Sequence, residues 1–513
     1  MITVGSKKLT VTDIEHIIFA DESVQLDTGG LAEVEANFNF LCHYSKDKII
    51  YGINTGLGPM AQYKISESDQ LQLQYNLIRS HCSGAGARFS DTHARATMIT
   101  RLASLMRAVS GVHPSVVHLL CSLINEKIIP TIFEKGGVGA SGDLVQLAHL
   151  ALNLIGEGEM NLNGEWMPTV EVYKAKKLSP IEPHIREGLA IMNGTSAMTG
   201  IGLVNLIYAR KLLNCAIILS GITNEVMKSF DDHFSSELNT VKLHEGQTVV
   251  ANVMQQLLGD SKMIRKRSHH LYHQKIEEAV FSDKVQEYYS LRCVPQILGP
   301  VYDTLREVSQ VLENELNSAN DNPVIDHKGE NVHHGGNFHG DYVSLAMDKL
   351  KIVITKLCML SERQLNYLLN DKLNQKLPPF INLGKLGLNF GLQGMQFTAT
   401  STTAENQTLS YPMYLHSISN NNDNQDIVSM GCNAALITAK VIDNTFEVLA
   451  IQAMAVMQSI DYLKCQSRLA GFTANVYNEI RSFIPAITED LPPYQKQKAM
   501  KEYLIKLGST NII

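Results

Sequence analysis

Residues 429–463, SMGCNAALITAKVIDNTFEVLAIQAMAVMQSIDYL, decide the fold class. The run is rich in Ala, Ile, Val and Met and apolar on more than one side. A surface helix needs a single apolar stripe, so a helix of this kind sits inside a bundle or at a subunit interface. Residues 342–369 repeat that character. Before them, Val301, Leu305, Val308, Leu312 and Leu316 recur at three- and four-residue steps, the spacing of one helix face. Asn320-Asp321-Asn322-Pro323 ends that segment. The first 200 or so residues differ, alternating short apolar runs with glycine-rich turns. Residues 49–58, IIYGINTGLG, read as a strand or extended segment closing in a tight turn. Residues 134–143, EKGGVGASGD, form a glycine-rich loop, after which Leu144–Leu154 resumes helical spacing. The expected fold is mainly α, with a long central helical bundle over residues 201–480. A smaller α/β N-terminal domain over residues 1–200 carries the glycine-rich loop, and residues 481–513 form a C-terminal helical tail.

Composition narrows the function. At 513 residues, 44% hydrophobic and 19% charged, the chain has an ordinary globular balance and is too long for a single core. A net charge of −7 supplies no field to attract phosphate, so no nucleic-acid partner is expected. The basic run from Lys262 to Arg267, followed by His269 and His270, reads as a solvated loop. Eight scattered cysteines without a CxxC pair fit free thiols in a reducing compartment. Residues 1–21 hold Lys7, Lys8, Asp13 and Glu15 among apolar residues and no signal-peptide core, which predicts a cytoplasmic location. The uncharged window 188–209 is broken by Asn193, Gly194, Thr195, Ser196 and Asn205, so a buried core helix is expected there rather than a membrane span.

The chemistry concentrates in residues 136–144, GGVGASGDL. Two mundane readings exist: a flexible loop with Ser141 or Asp143 near a helix N-cap, and an anion site at that helix start. Neither accounts for Ala, Ser and Gly standing together in a glycine-heavy bend. A backbone nitrogen attacks a neighbouring carbonyl only in a very tight bend, which glycine makes sterically accessible. Attack by the Gly142 nitrogen on the Ala140 carbonyl, with loss of water from the ring and from Ser141, would leave a methylene conjugated to a carbonyl. That is an electrophile no unmodified side chain provides.

The stretch GGVGASGDLVQLAHLAL resembles the signature of the histidine, phenylalanine and tyrosine ammonia-lyases, whose prosthetic group is 4-methylidene-imidazol-5-one (MIO). The likeness runs from Ile50 to about Leu463, with YGINTG, GASGD, MNGT, YYSLRC, NDNP, GGNFHG and NQDIVSMG in the family's order. The pattern is similar to bacterial tyrosine ammonia-lyases and lacks the extra helical domain of plant phenylalanine lyases. The resemblance implies an MIO made from Ala140, Ser141 and Gly142, with no metal or dissociable cofactor. It implies that Tyr51 is the base for the β-proton, a role that requires nearby positive charge or helix N-termini. Arg292 would clamp the substrate carboxylate through its planar fork. Tyr289 would stand beside the MIO, Asn193 would orient the MIO oxygen, and Phe338 would pack near it. Gly58, Ser80, His81, Gln286, Asn421 and Gln425, together with Arg292, would contact substrate. A homotetramer with sites shared among three subunits is also implied. The histidine groups His333, His334, His339 and His269, His270, His273 lack a companion Cys pair or HExxH frame, so no metal is expected.

Two positions bear on substrate. Gln425 stands where histidine lyases typically carry Glu, and a neutral amide suits a phenyl or phenol ring better than a carboxylate does. Asn421 stands where plant phenylalanine lyases usually have Glu. At residues 80–81 many tyrosine lyases have His-Leu, phenylalanine lyases Phe-Leu and histidine lyases Ser-His; this chain has Ser80-His81. Some bacterial tyrosine lyases look like it, and His81 could bond a para-hydroxyl. The expected reaction is elimination of ammonia from L-tyrosine to give trans-p-coumarate. Histidine ammonia-lyase activity giving urocanate, and phenylalanine lyase or aminomutase activity, are the alternatives. A non-catalytic helical scaffold is a remote one, since it would have lost Ser141, Tyr51 or Arg292. Smaller departures from the family pattern are Leu57, Gln146 and Glu287-Tyr288.

Overall fold

The computed structural model describes the chain apart from residues 47, 273–278, 282–283, 511 and 513. It is 59% helical, as the apolar periodicity predicts. The helices expected from sequence are Leu144–Leu154, Val294–Leu316, Asp341–Leu369 and Gly431–Leu463, and Tyr494–Leu507 is the helix of the C-terminal tail. Two compact units emerge, each drawn from three chain segments.

The first unit comprises Met1–Ile207, Glu307–Asp348 and Pro412–Ala439. Its central element is the helix Asp91–Leu105, started by the Ser90 hydroxyl accepting the His93 N–H at 3.2 Å and buried on every side from Ala94 onward. Helix Ser196–Met227 begins against it. Gly200 is what permits that approach, because a Cβ there would stand 2.7 Å from the backbone of Ala96 and Thr97. Small sheets occupy the margins. Ala85–Arg88 pairs antiparallel with Phe133–Lys135, and Glu159–Leu162 forms a hairpin with Glu165–Pro168. The hairpin turns through Asn163-Gly164, both at positive φ, the two-residue turn whose twist matches the strands.

The expectation of a strand at residues 49–58 is corrected: the segment is a series of turns. Gly52 and Gly58 take φ of +74° and +55°, and the Gly52 N–H goes to the Thr55 hydroxyl at 3.2 Å rather than to a partner strand.

The second unit comprises Tyr208–Arg306, Lys349–Tyr411 and Lys440–Ile513. A buried amide cluster organises it. The Gln452 amide donates to Gln364 Oε1 at 2.6 Å, and the Gln364 amide donates to the Ser290 carbonyl at 2.8 Å. Asn224 adds a bond to the Leu291 carbonyl at 3.3 Å, so the short helical turn Tyr289–Arg292 is held from beneath. In the basic run Lys262, Lys266 and His269 are exposed, as a solvated loop requires, but two of its arginines are packed. Arg265 and Arg267 both lie 4.1 Å from the Phe230 ring, paired with Glu287 and Asp232 respectively. Helix Ser196–Met227 is long and apolar enough to cross a membrane, but 78% of its apolar window is buried.

Candidate active site

The glycine-rich loop runs from strand Phe133–Lys135 to helix Leu144–Leu154, and distant segments of the first unit hold it at Val138, Gly139, Ser141 and Asp143. The Met430 N–H donates to the Val138 carbonyl at 3.0 Å, and the Ser429 hydroxyl donates to the Gly139 carbonyl at 3.0 Å. Gly139 has φ +76°, and a Cβ there would overlap the Ser429 hydroxyl. Gly142 has φ +71°, and a Cβ there would overlap the Gly194 carbonyl. Glycine is obligatory at both positions. The Asp143 N–H closes the bend by donating to the Gly194 carbonyl at 2.7 Å.

Two donors converge on the Ser141 carbonyl: Asn193 Nδ2 at 3.1 Å and the Gly194 N–H at 3.4 Å. Asn193 is itself fixed, its Oδ1 accepting the Asn322 N–H at 2.9 Å. Gln425 donates its amide to the Ser141 hydroxyl at 2.9 Å. Asp143, at the N-cap position, makes no side-chain cap bond to its own helix. Instead its Oδ2 accepts the Met198 N–H at 2.8 Å, at the start of the next long helix. Burial pushes its carboxyl up to about 7, against the opposing pull of the Met198 and Ala197 N–H groups.

Above the loop opens a cavity of about 1120 Å³, lined among others by Tyr51, Gly58, Ser80, His81, Ala140, Ser141, Asn193, Phe338, Asn421 and Gln425. The Tyr51 oxygen accepts the Gly58 N–H at 3.0 Å, a fixed backbone donor on a phenol. Asn421 lies against Gly58, where a Cβ would meet its side-chain nitrogen at 2.9 Å. His81 closes the far wall from the end of helix Gln70–His81. Its Nδ1 lies 2.9 Å from the Leu77 carbonyl and 3.1 Å from the Ser80 hydroxyl.

The structure thus brings Tyr51, Gly58, Ser80, His81, Ala140, Ser141, Asn193, Phe338, Asn421 and Gln425 to one cavity, with Gly142 directly behind it. Gln286, Tyr289 and Arg292 belong to the second unit and do not line this cavity. There Tyr289 is 70% exposed, with the Arg292 guanidinium 4.8 Å from its ring centre. Sequence reasoning missed Asn76, Asn424 and the lining roles of His334 and His339. It also passed over Gln146 as a mere departure. The Gln146 amide donates to the Phe133 and Glu134 carbonyls at 3.4 and 3.3 Å, tying the helix after the loop to the strand before it. Among the described residues no three His, Cys, Asp or Glu side chains form a metal-binding group; His273 lies outside the described residues.

Residues 9–482 match the family described as aromatic amino acid lyase. A tyrosine 2,3-aminomutase of Myxococcus sp. (strain Mx-B0) is 37% identical, covering 96% of this chain and 94% of the relative. A histidine ammonia-lyase of Geobacillus sp. (strain WCH70) is 36% identical over the same shares. The crystal structure of tyrosine aminomutase from Streptomyces globisporus superposes with a TM-score of 0.94 at 32% identity, covering 99% of this chain and 97% of the other. With a family match spanning nearly the whole sequence and a fold shared end to end, the chain belongs to the aromatic amino acid lyases, enzymes that break carbon–nitrogen bonds.

Proposed function

We propose that this enzyme eliminates ammonia from L-tyrosine, releasing trans-p-coumarate, with an MIO formed from Ala140, Ser141 and Gly142. The loop fits that group: neither Gly139, just before the ring, nor Gly142, within it, has room for a Cβ, and the Ser141 carbonyl, which becomes the ring carbonyl, already faces two donors. Once formed, the MIO supplies an electrophile for the substrate amine.

The remaining work falls to the chain's own residues. Tyr51 removes the β-proton, and the Gly58 N–H holds its oxygen in place. Asn193 holds the Ser141 carbonyl oriented and polarised. The carboxylate clamp, Arg292 with Tyr289 and Gln286, comes from a neighbouring subunit of a homotetramer; the exposure of Tyr289 supports this reading. Gln425 offers a neutral amide beside the ring site.

The observation that carries the choice of tyrosine is the place of His81 in the wall of the cavity that holds Ser141 and Tyr51. An imidazole in that wall is a hydrogen-bond partner for the para-hydroxyl of a phenol. The tyrosine named for the Myxococcus relative points the same way. A second reading, histidine as substrate, is favoured by the Ser80-His81 pair and by the histidine ammonia-lyases among the relatives. Purified enzyme incubated separately with tyrosine, histidine and phenylalanine, with products separated and identified, tests the proposal. Coumarate formed fastest from tyrosine is expected. Urocanate as the main product would install the second reading, and β-tyrosine would replace net release of ammonia by its return to the β-carbon.

A further inference from the structure

We infer that Arg101 is the positioning residue on which closure of the Ala140-Ser141-Gly142 ring depends, acting through Asn193 and Gly194. The inference rests on the reading above that an MIO forms. Arg101 projects from helix Asp91–Leu105 and is completely buried, yet its hydrogen bonds reach no carboxylate. Nη1 donates to the Asn193 carbonyl at 3.0 Å and to Asn320 Oδ1 at 3.3 Å, while Nη2 donates to the Ala190 carbonyl. Burying a guanidinium without a directly bonded anion is costly, and mere packing would favour an apolar side chain. What the fork does is fix the end of helix Glu187–Met192 and the two residues after it. A Cβ on Gly194 would stand 2.5 Å from Arg101 Nη1, so Gly194 is pressed between the guanidinium on one side and Gly142 on the other. Burial lowers the Arg101 pKa only to about 10, so the group is charged at neutral pH.

Ring formation needs this arrangement. The Gly142 nitrogen bonds to the Ala140 carbonyl carbon, and its proton passes to that carbonyl oxygen. The resulting hydroxyl leaves as water with the Ser141 amide proton, which makes a C=N bond. Ser141 then loses its Cα proton and its hydroxyl as a second water, which makes the methylene. Nothing is oxidised or reduced. Loss of the Cα proton throws negative charge onto the Ser141 carbonyl oxygen, where Asn193 Nδ2 and the Gly194 N–H point. Lysine at position 101 keeps the charge but has one nitrogen, and cannot hold the Asn193 and Ala190 carbonyls in a fixed plane.

Intact mass under denaturing conditions, followed with time after purification, tests this on wild type and Arg101→Lys, alongside thermal melting of both. Wild type is expected lighter than its translated sequence by two waters. Folded Arg101→Lys is expected to lose those waters about tenfold more slowly or worse, as the loss of charge-assisted bonds to the loop dictates. Among chains that have lost them, kcat should fall while KM stays near wild type, because Arg101 does not line the cavity. A folded Arg101→Lys that dehydrates at the wild-type rate would overturn the role of Arg101 and leave the MIO reading intact. A wild type at its full translated mass would overturn the MIO reading itself. If Arg101→Lys does not fold, Asn320→Ala, which frees Nη1 from one anchor while keeping the charge, decides: slower dehydration supports the inference, and the wild-type rate overturns it.

Discussion

At the scale of single residues, His81 is where the reading of substrate can be broken. His81→Phe removes the only assigned partner for a para-hydroxyl, and the hydroxyl of bound tyrosine is then buried unpaired. Its kcat/KM for tyrosine is expected to drop about a hundredfold, with phenylalanine gaining relative to it. Unchanged relative kcat/KM values would show that His81 does not read the hydroxyl. Asp143 makes a different prediction. The folded chain binds its proton more tightly than the unfolded chain, whose carboxyl titrates near the ordinary 3.8. Its contribution to stability is therefore full below about pH 4 and lost as pH rises through about 7. Asp143→Asn carries no such proton, so its melting temperature should fall less than that of wild type between those limits. Parallel curves would refute the assignment. The tight bend of the loop was legible at this scale, because its glycines mark backbone that a side chain would obstruct. Arg101 was not, since a lone arginine in a helical run carries no mark of the carbonyls it will meet, one of which lies 92 residues away.

At the scale of elements, the long helices could be read directly from apolar spacing, whereas residues 49–58 could not. Ile49, Ile50, Tyr51 and Ile53 have strand-forming side chains, but backbone bonds such as Ile53 N–H to the Ile50 carbonyl at 3.2 Å fold the segment on itself. Helix Ser196–Met227 offers an internal contrast between two of its glycines. Gly200 faces the backbone of Ala96 and Thr97, whereas Gly221 has nothing closer than Leu258 at 3.7 Å. Gly200→Ala is expected to destabilise by about 1–3 kcal/mol through overpacking. Gly221→Ala should be neutral or stabilising by up to about 1 kcal/mol, since alanine is the better helix former. Thermal or denaturant unfolding of the two variants measures both, and similar effects at the two sites would contradict the packing described.

At the scale of the whole molecule, no composition shift along the chain reveals that each compact unit gathers three separated segments. The cavity shows why that matters, since its walls come from residues 51–81, 140–193, 322–339 and 421–427. If the carboxylate clamp reaches this cavity from another subunit, defects in different chains should complement. Ser141→Ala and Arg292→Ala are each expected to be inactive alone. Mixed tetramers from co-expression should regain a measurable fraction of wild-type turnover, because some sites then draw an intact loop and an intact arginine from different chains. Turnover no greater than that of either variant alone would place the whole site in one chain.

The bonds from Ser429 and Met430 to Gly139 and Val138 also bear on the timing of synthesis. A nascent chain carries its Ala-Ser-Gly sequence out of the ribosome long before those partners exist, and until they arrive only Asn193 and Gly194 are on hand to hold the bend. If the proposed condensation needs the bonds from Ser429 and Met430 as well, it waits until more than four-fifths of the polypeptide has been made. A reactive methylene is then never displayed on a half-finished chain, where the protein's own thiols could consume it.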